Sequence, residues 1–166
     1  MAHPFRSILV PIDVEDPSLL TLSFSEQLAA DQDATLHLLN VASILPGLGA
    51  PDVAEDDHSP GEKKAHAMLS EIIGRRGATG VNYQIHTASA GPRALAKAIV
   101  RLGIEVNADV IVLKTNARKG LSRFILGNVA EEVVRTAACP VLTLSPEVQE
   151  KTEASAPRRE RSLSHA

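Results

Sequence analysis

The stretch Ser7-Ile8-Leu9-Val10-Pro11-Ile12-Asp13 decides the fold, because it is a short apolar run that ends in a carboxylate. Such runs are typical of strands that are buried on both faces of a parallel sheet. A second and more continuous run, residues 108–114, ends in a lysine. If both runs are strands of one parallel sheet, Asp13 and Lys114 lie at the same edge of that sheet, where ligands bind in such folds.

Apolar runs alternate with helical patterns on both sides of these two strands. The other predicted strands are residues 34–41, 81–88 and 140–145. Four helices are predicted from capping residues and prolines, with starts at Asp16-Pro17, Ser59-Pro60, Gly91-Pro92 and Asn128. This alternation predicts a three-layer, Rossmann-like α/β fold with a five-stranded parallel sheet in the order 3-2-1-4-5. The switch point of that order lies between strands 1 and 4, and it is the predicted ligand site.

The apolar spacing also predicts which face of each helix packs on the sheet. In the first helix the predicted inner residues are Leu20, Phe24 and Leu28. In the second helix they are Ala65, Met68, Leu69, Ile72 and Ile73. Gly103 interrupts the third helix, where glycine costs about 1 kcal/mol relative to alanine. Close packing of this helix on the sheet is the predicted reason for it.

The length of 166 residues suits one domain, which we expect to span residues 1–146. Residues 43–61 are rich in proline and glycine, and we expect them to form a flexible loop that is either mobile or a flap over a site. Residues 147–166 are small, polar and charged, and they are predicted to be a disordered tail.

Composition excludes several classes of function. Only 2% of the residues are aromatic and the net charge is −3, so neither stacking platforms nor a basic field favours nucleic acid. That charge is uneven, because residues 1–60 sum to −9 and residues 61–166 to +6. No apolar run approaches the ~20 residues of a membrane span, and there is one cysteine. These features predict a soluble cytoplasmic protein without membrane or nucleic-acid partners.

The segment from Lys114 to Asn128 is basic. It contains four lysines and arginines, and no acidic residue occurs between Asp109 and Glu131. It ends in Gly127-Asn128 at a predicted helix start, where free amides and the helix dipole favour an anion. The segment is therefore either a phosphate-binding loop or a solvated basic loop with an ordinary Asn cap, and the residues alone leave both interpretations open.

Other reactive residue types give weaker signals. The six histidines form no spacing typical of a metal site, and His37 is interpreted as a structural side chain within a strand. Cys139 is interpreted as a packed structural thiol. Neither a nucleophile elbow nor a Walker loop is present, so no catalytic residues are predicted.

Several short segments in the right order resemble the universal stress protein family, and the similarity covers roughly residues 5–146. The segments that carry it are Ile8–Asp13, Leu38–Val41, Gly91-Pro92, Ala108–Leu113, Arg118–Ala130 and Cys139–Val141. The resemblance implies a small domain of the adenine nucleotide alpha hydrolase-like type. It also implies a homodimer that pairs through the last strand, here Val141, Leu142, Thr143 and Leu144.

Many members of that family bind ATP through a loop of Gly, two residues, Gly, nine residues, then Gly followed by Ser or Thr. These positions fall on Lys114, Ala117, Gly127 and Asn128, so two of the three glycines are replaced. A Cβ at Ala117 narrows the space for a phosphate. Lys114 either blocks the nucleotide or replaces amide contacts with a direct charge.

The nucleotide-contact positions implied by the resemblance are Pro11, Ile12, Asp13, Val41, Leu113, Lys114, Ala117, Gly127, Asn128 and Val129. Two hypotheses follow. The protein is a dimeric signalling or protective module of the stress response, with an unidentified protein partner and Asp13 paired with Lys114 across an empty crevice. Alternatively, it is a stress sensor that binds ATP or AMP, with Mg²⁺, between strands 1 and 4. In either case we expect at most weak ATP hydrolysis.

Overall fold

The computed structural model describes residues 5–15, 17–43, 60–76, 80–91, 93–115 and 128–145. The elements are β1 (Ser7–Pro11), α1 (Leu19–Gln32), β2 (Thr35–Ser43), α2 (Pro60–Arg76), β3 (Asn82–Ala90), α3 (Leu95–Glu105), β4 (Val110–Lys114), α4 (Asn128–Thr136) and β5 (Val141–Leu144). The five strands form one parallel sheet in the order β3-β2-β1-β4-β5. This order confirms the topology predicted from the sequence.

Two apolar cores lie on opposite faces of the sheet, because successive side chains of a strand point to opposite sides. On one face Ile8 and Val10 of β1 pack with residues of α1 and α2, among them Leu22 and Leu69. On the other face Leu9 of β1 packs with residues of α3 and α4, among them Ile99 and Val133. The helices therefore cover both faces, and the predicted three-layer architecture is confirmed.

The start of α1 differs from the prediction. Ser18 is the N-cap, and its Oγ accepts a hydrogen bond of 3.3 Å from the backbone N–H of Thr21. The helix therefore begins at Leu19, two residues after the predicted Asp16-Pro17 start. A serine hydroxyl can cap the free amides of a first turn as well as an aspartate carboxylate can.

The buried face of α1 also differs from the prediction. The buried residues are Thr21, Leu22, Ser25, Glu26 and Ala29, and Phe24 is 39% exposed. The carboxylate of Glu26 is tolerated on this buried face because both of its oxygens accept hydrogen bonds. The Arg76 guanidinium donates to both oxygens over 2.6–2.9 Å, and the Tyr83 hydroxyl donates to Oε1 over 2.6 Å. Of the predicted inner residues, Leu28 packs against the core, whereas the prediction was wrong for Phe24, which lies on the exposed side of the helix.

Two further boundaries are corrected. Helix α3 begins at Leu95 rather than at Gly91-Pro92, and its N-cap Ala94 has no side chain that could bond to the helix end. The predicted loop 43–61 is too long, because Ser43 ends β2 and Pro60 and Gly61 begin α2. The remainder of that loop and the predicted tail 147–166 lie outside the described residues.

Gly103 confirms the packing that its position predicts. A Cβ on this residue would lie 3.3 Å from Ile111 Cδ1 and 3.6 Å from Leu9 Cδ2. Helix α3 therefore packs closely on the two central strands at a position where only a hydrogen fits without displacement of a neighbour. Within the part of the chain that is described, no helix is both long and apolar enough to cross a membrane.

Candidate functional site

A crevice opens in the middle of the sheet because β1 pairs with β2 along its length but with β4 only at its start. β1 pairs with β2 along its whole length, and the Ile12 N–H continues the ladder to the carbonyl of Leu39 over 2.8 Å. With β4, by contrast, β1 pairs only at Ile8–Val110 and Leu9–Ile111. The carboxyl ends of the two central strands therefore separate, as expected at a topological switch point.

A cavity of about 810 Å³ lies at this crevice. Eight of the ten predicted contact residues line it: Pro11, Ile12, Asp13, Val41, Leu113, Lys114, Asn128 and Val129. Ala117 and Gly127 lie outside the described residues. The volume falls within the range of ordinary small-molecule sites, about 300–1,000 Å³.

The turn after β1 is held by two hydrogen bonds. The side-chain amide of Asn40, which is 5% exposed, donates to the carbonyl of Ile12 over 3.0 Å. Oδ1 of Asp13 accepts a bond of 2.9 Å from the N–H of Glu15. Together these bonds fix the backbone on both sides of Asp13. Its carboxylate therefore lies at the rim of the cavity on a turn that is held by hydrogen bonds.

Helix amino ends surround the cavity. Ser18 and Thr21 at the start of α1, Gly61 in α2, Leu95 in α3 and Asn128 in α4 all line it. Each helix start carries free N–H groups and the positive end of the helix dipole. Their convergence makes this edge of the sheet favourable for an anionic group.

The walls of the cavity are mainly aliphatic. The apolar residues that line it include Leu39, Val41, Ala65, Met68, Ile99, Leu113 and Val129. No aromatic residue is among the described lining residues. A planar base bound here would therefore contact branched aliphatic side chains and the polarizable Met68 thioether instead of a stacked ring.

Sequence reasoning missed two parts of the site. Asn40 was given no role, although a polar residue inside the apolar run Leu38–Val41 is a usable signal. Helix α2 supplies Lys64 and Met68 to the cavity, and Met68 had been assigned to the core-facing stripe. A cavity wall and a core face have the same helical period, so the pattern does not distinguish them.

His37 and His86 form a pair on β2 and β3 outside the cavity. His37 Nδ1 lies 3.0 Å from His86 Nε2, at hydrogen-bond distance, and His37 is 6% exposed. Burial lowers the pKa of both imidazoles; charge on His86 lowers that of His37 further, and Glu105 partly offsets the shift of His86. The pair agrees with the interpretation of His37 as a structural side chain, since one neutral ring can donate and the other accept.

Cys139 and the possible metal ligands are the other reactive groups of the described residues. Burial, followed by the charge of Asp109, raises the pKa of the Cys139 thiol, which disfavours the thiolate and agrees with a structural cysteine. Across the described ranges, no group of three or more His, Cys, Asp or Glu residues could hold a metal ion. The switch-point cavity is therefore the candidate site that the fold presents.

An open parallel sheet of this order, with a cavity at the switch point, defines a Rossmann-like α/β domain with a candidate ligand site. The sequence profile of the Universal stress protein family matches residues 4–145, and the chain belongs to this family.

Individual relatives agree with this membership. A universal stress protein of Methanocaldococcus jannaschii is 28% identical over 149 residues, which cover 84% of this chain and 82% of that protein. Universal stress protein G of Salmonella typhimurium is also 28% identical and is covered over 99% of its length. The crystal structure of a universal stress protein in complex with cAMP is 25% identical, with a TM-score of 0.61 over 86% of this chain and 98% of that one.

Proposed function

We propose that this universal stress protein binds an adenine nucleotide in the switch-point cavity. One observation carries the proposal: the cavity combines aliphatic walls with the amino ends of four helices, which suit a base and a phosphate respectively. The solved relative in complex with cAMP supports the choice of an adenine ligand.

Each part of the site has a role in this proposal. The carboxylate of Asp13 accepts a hydrogen bond from the base or the ribose, and Val41 and Met68 contact the base. Lys114 and the amino end of α4 at Asn128 attract the phosphate. Lys114 stands where ATP-binding members carry glycine, so charge replaces close approach of the backbone.

Calorimetric titration with AMP, cAMP, and ATP with Mg²⁺ tests the proposal, together with thermal denaturation at millimolar nucleotide. Saturable heat and a raised melting temperature are expected for at least one of the three, because a ligand that binds the folded state stabilises it. The absence of both for all three nucleotides would exclude the proposed function.

The loop substitutions are tested by the double variant Lys114→Gly with Ala117→Gly. We expect it to bind ATP more tightly than the wild type, since glycine at both positions restores the loop pattern of the ATP-binding family members. AMP is expected to bind less tightly, because a cation has been removed. Unchanged ATP affinity would contradict the steric interpretation of Lys114 and Ala117.

We further propose that the protein acts as a homodimeric signalling or protective module, paired through β5. β5 is an edge strand of the sheet. The carbonyls of Pro140 and Leu144 accept hydrogen bonds from Ile111 in β4 and from Thr115 directly after it. The alternating backbone groups of Val141 and Thr143 therefore face away from β4. An edge strand of this kind is a template for a second copy.

Sedimentation analysis of Thr143→Pro tests the dimer. Proline removes the outward N–H while the ladder to β4 stays intact, so the variant is expected to be folded and monomeric at concentrations where the wild type is dimeric. Leu142→Pro is the matched comparison, because it removes a group that faces β4 and should destabilise the domain itself. A dimeric Thr143→Pro protein would exclude pairing through β5.

A further inference from the structure

Helix α2 presents one stripe of residues to the cavity: Gly61, Lys64, Ala65 and Met68. The spacing of three or four residues places them on one face of the helix. Lys64 is the charged member of this stripe, and it is exposed. No hydrogen bond or ion pair joins it to another residue in the described part of the chain.

The charge of Lys64 is not stabilised by its own helix. It is the fifth residue of α2, just after the first turn and far from the carboxyl end, so the helix dipole does not stabilise its charge. Neither a carboxylate within the described chain nor the helix itself compensates its charge. An anion that enters the cavity would do so.

The sum of the charges that line the cavity also indicates that Lys64 favours an anionic ligand. Among the described lining residues, Lys64 and Lys114 balance the carboxylates of Asp13 and Glu15, so the formal sum is zero. Without Lys64 the formal sum would be −1, which is less favourable for an anionic ligand. The acceptance of a phosphate therefore depends on a residue of α2 as well as on the β4–α4 side.

We propose that Lys64 binds the phosphate of the nucleotide and sets the preference of the cavity for charged over uncharged adenosine compounds. The inference rests on the proposed nucleotide-binding function and adds the residue that determines ligand charge. Lys63 provides a matched control, because it is an exposed lysine on the same helix that does not line the cavity.

Calorimetry with AMP, cAMP and adenosine tests the assignment on wild type, Lys64→Ala, Lys64→Arg and Lys63→Ala. Lys64→Ala is expected to weaken AMP binding by about tenfold or more, the usual loss for a charge-assisted hydrogen bond. The loss should be smaller for cAMP, whose phosphodiester carries less charge than the monoester of AMP, and absent for adenosine. Lys64→Arg should retain most of the AMP affinity, and Lys63→Ala should change none of the three.

The outcomes separate the two proposals. Equal losses for all three ligands would make Lys64 a wall of the cavity and overturn the assignment, while nucleotide binding would stand. AMP binding that is unchanged in Lys64→Ala would overturn it in the same way. A wild-type protein that binds none of AMP, cAMP and ATP would overturn both proposals together.

Discussion

The side-chain amide of Asn40 donates a hydrogen bond to the carbonyl oxygen of Ile12 over 3.0 Å, and both residues are buried. This bond joins the carboxyl-terminal half of β2 to the turn that carries Asp13. The turn leaves the sheet one residue after β1 ends, and the Asn40 bond holds it beside β2 rather than β4. Asn40 is thus a positioning residue for the rim of the cavity.

Asn40→Ala is expected to lower the free energy of unfolding by about 2 kcal/mol, because the carbonyl of Ile12 loses its side-chain donor in a buried setting. Nucleotide affinity should fall with it, as Asp13 is no longer held. Denaturant unfolding and calorimetry measure the two effects. Asn82→Ala is the control, since Asn82 also bonds across two strands but on an exposed surface, and it should change stability by less than about 0.5 kcal/mol.

Glu26→Gln is expected to lower the free energy of unfolding by about 3 kcal/mol, because it leaves the Arg76 guanidinium without its charged partner. The side chains of Arg76 and Glu26 are 23% and 8% exposed, whereas those of Arg75 and Glu71 are 78% and 61% exposed. Glu71→Gln should therefore cost less than about 0.5 kcal/mol. Equal urea midpoints for the two variants would contradict this ranking.

Stability is expected to fall as the pH drops below about 6.5. The pKa of His37 and of His86 is lowered in the folded protein, so the unfolded chain takes up protons first and acid favours unfolding. The stability that the two neutral imidazoles contribute is fully present above the ordinary histidine pKa. It is lost as the pH falls towards their lowered pKa in the folded protein. His86→Gln should flatten the dependence of the unfolding free energy on pH between 7 and 5, as followed by urea titrations at each pH.

Two glycines in helices should respond in opposite ways. Among the described residues, nothing beyond the adjoining part of α2 lies within 4 Å of the place where a Cβ on Gly74 would be, so Gly74→Ala should raise the free energy of unfolding by about 0.5–1 kcal/mol. Gly103→Val should lower it by about 1–3 kcal/mol, since its side chain would overlap Ile111 and Leu9. Thermal melts of the two variants measure the contrast; stabilisation by Gly103→Val would show that the sheet yields at this contact.

Topology was predictable because each strand carries its own apolar signal. Ser7–Pro11 and Val110–Lys114 read as buried strands from their residues alone. The face of α1 was not predictable, since the partner of Glu26 is Arg76, 50 residues away, and a helical pattern contains no information about a distant cation. The Ser18 cap was missed because Asp16-Pro17 offers an equally good local start.

The part of the candidate site formed by the ends of β1 and β4 was predictable, because the order of the strands brings these ends together. The part formed by helix α2 was not predictable. Lys64 and Met68 reach the cavity because α2 packs over β2 and β3, and that placement depends on the assembled sheet. The family resemblance added Val41 and Val129, whose apolar side chains give no functional signal by themselves.

The two-pair ladder between β1 and β4 divides the sheet into a half of three strands and a half of two. Few backbone bonds hold this seam, so its amide protons should exchange with solvent faster than those of the long β2–β3 ladder in the empty protein. A nucleotide that touches Asp13 on one half and Lys114 on the other would tie the halves together. Amide exchange along the β1–β4 pairing would then be slower in the ligand-bound protein, because the two halves are held more rigidly. A partner protein could detect this rigidity at a distance from the cavity.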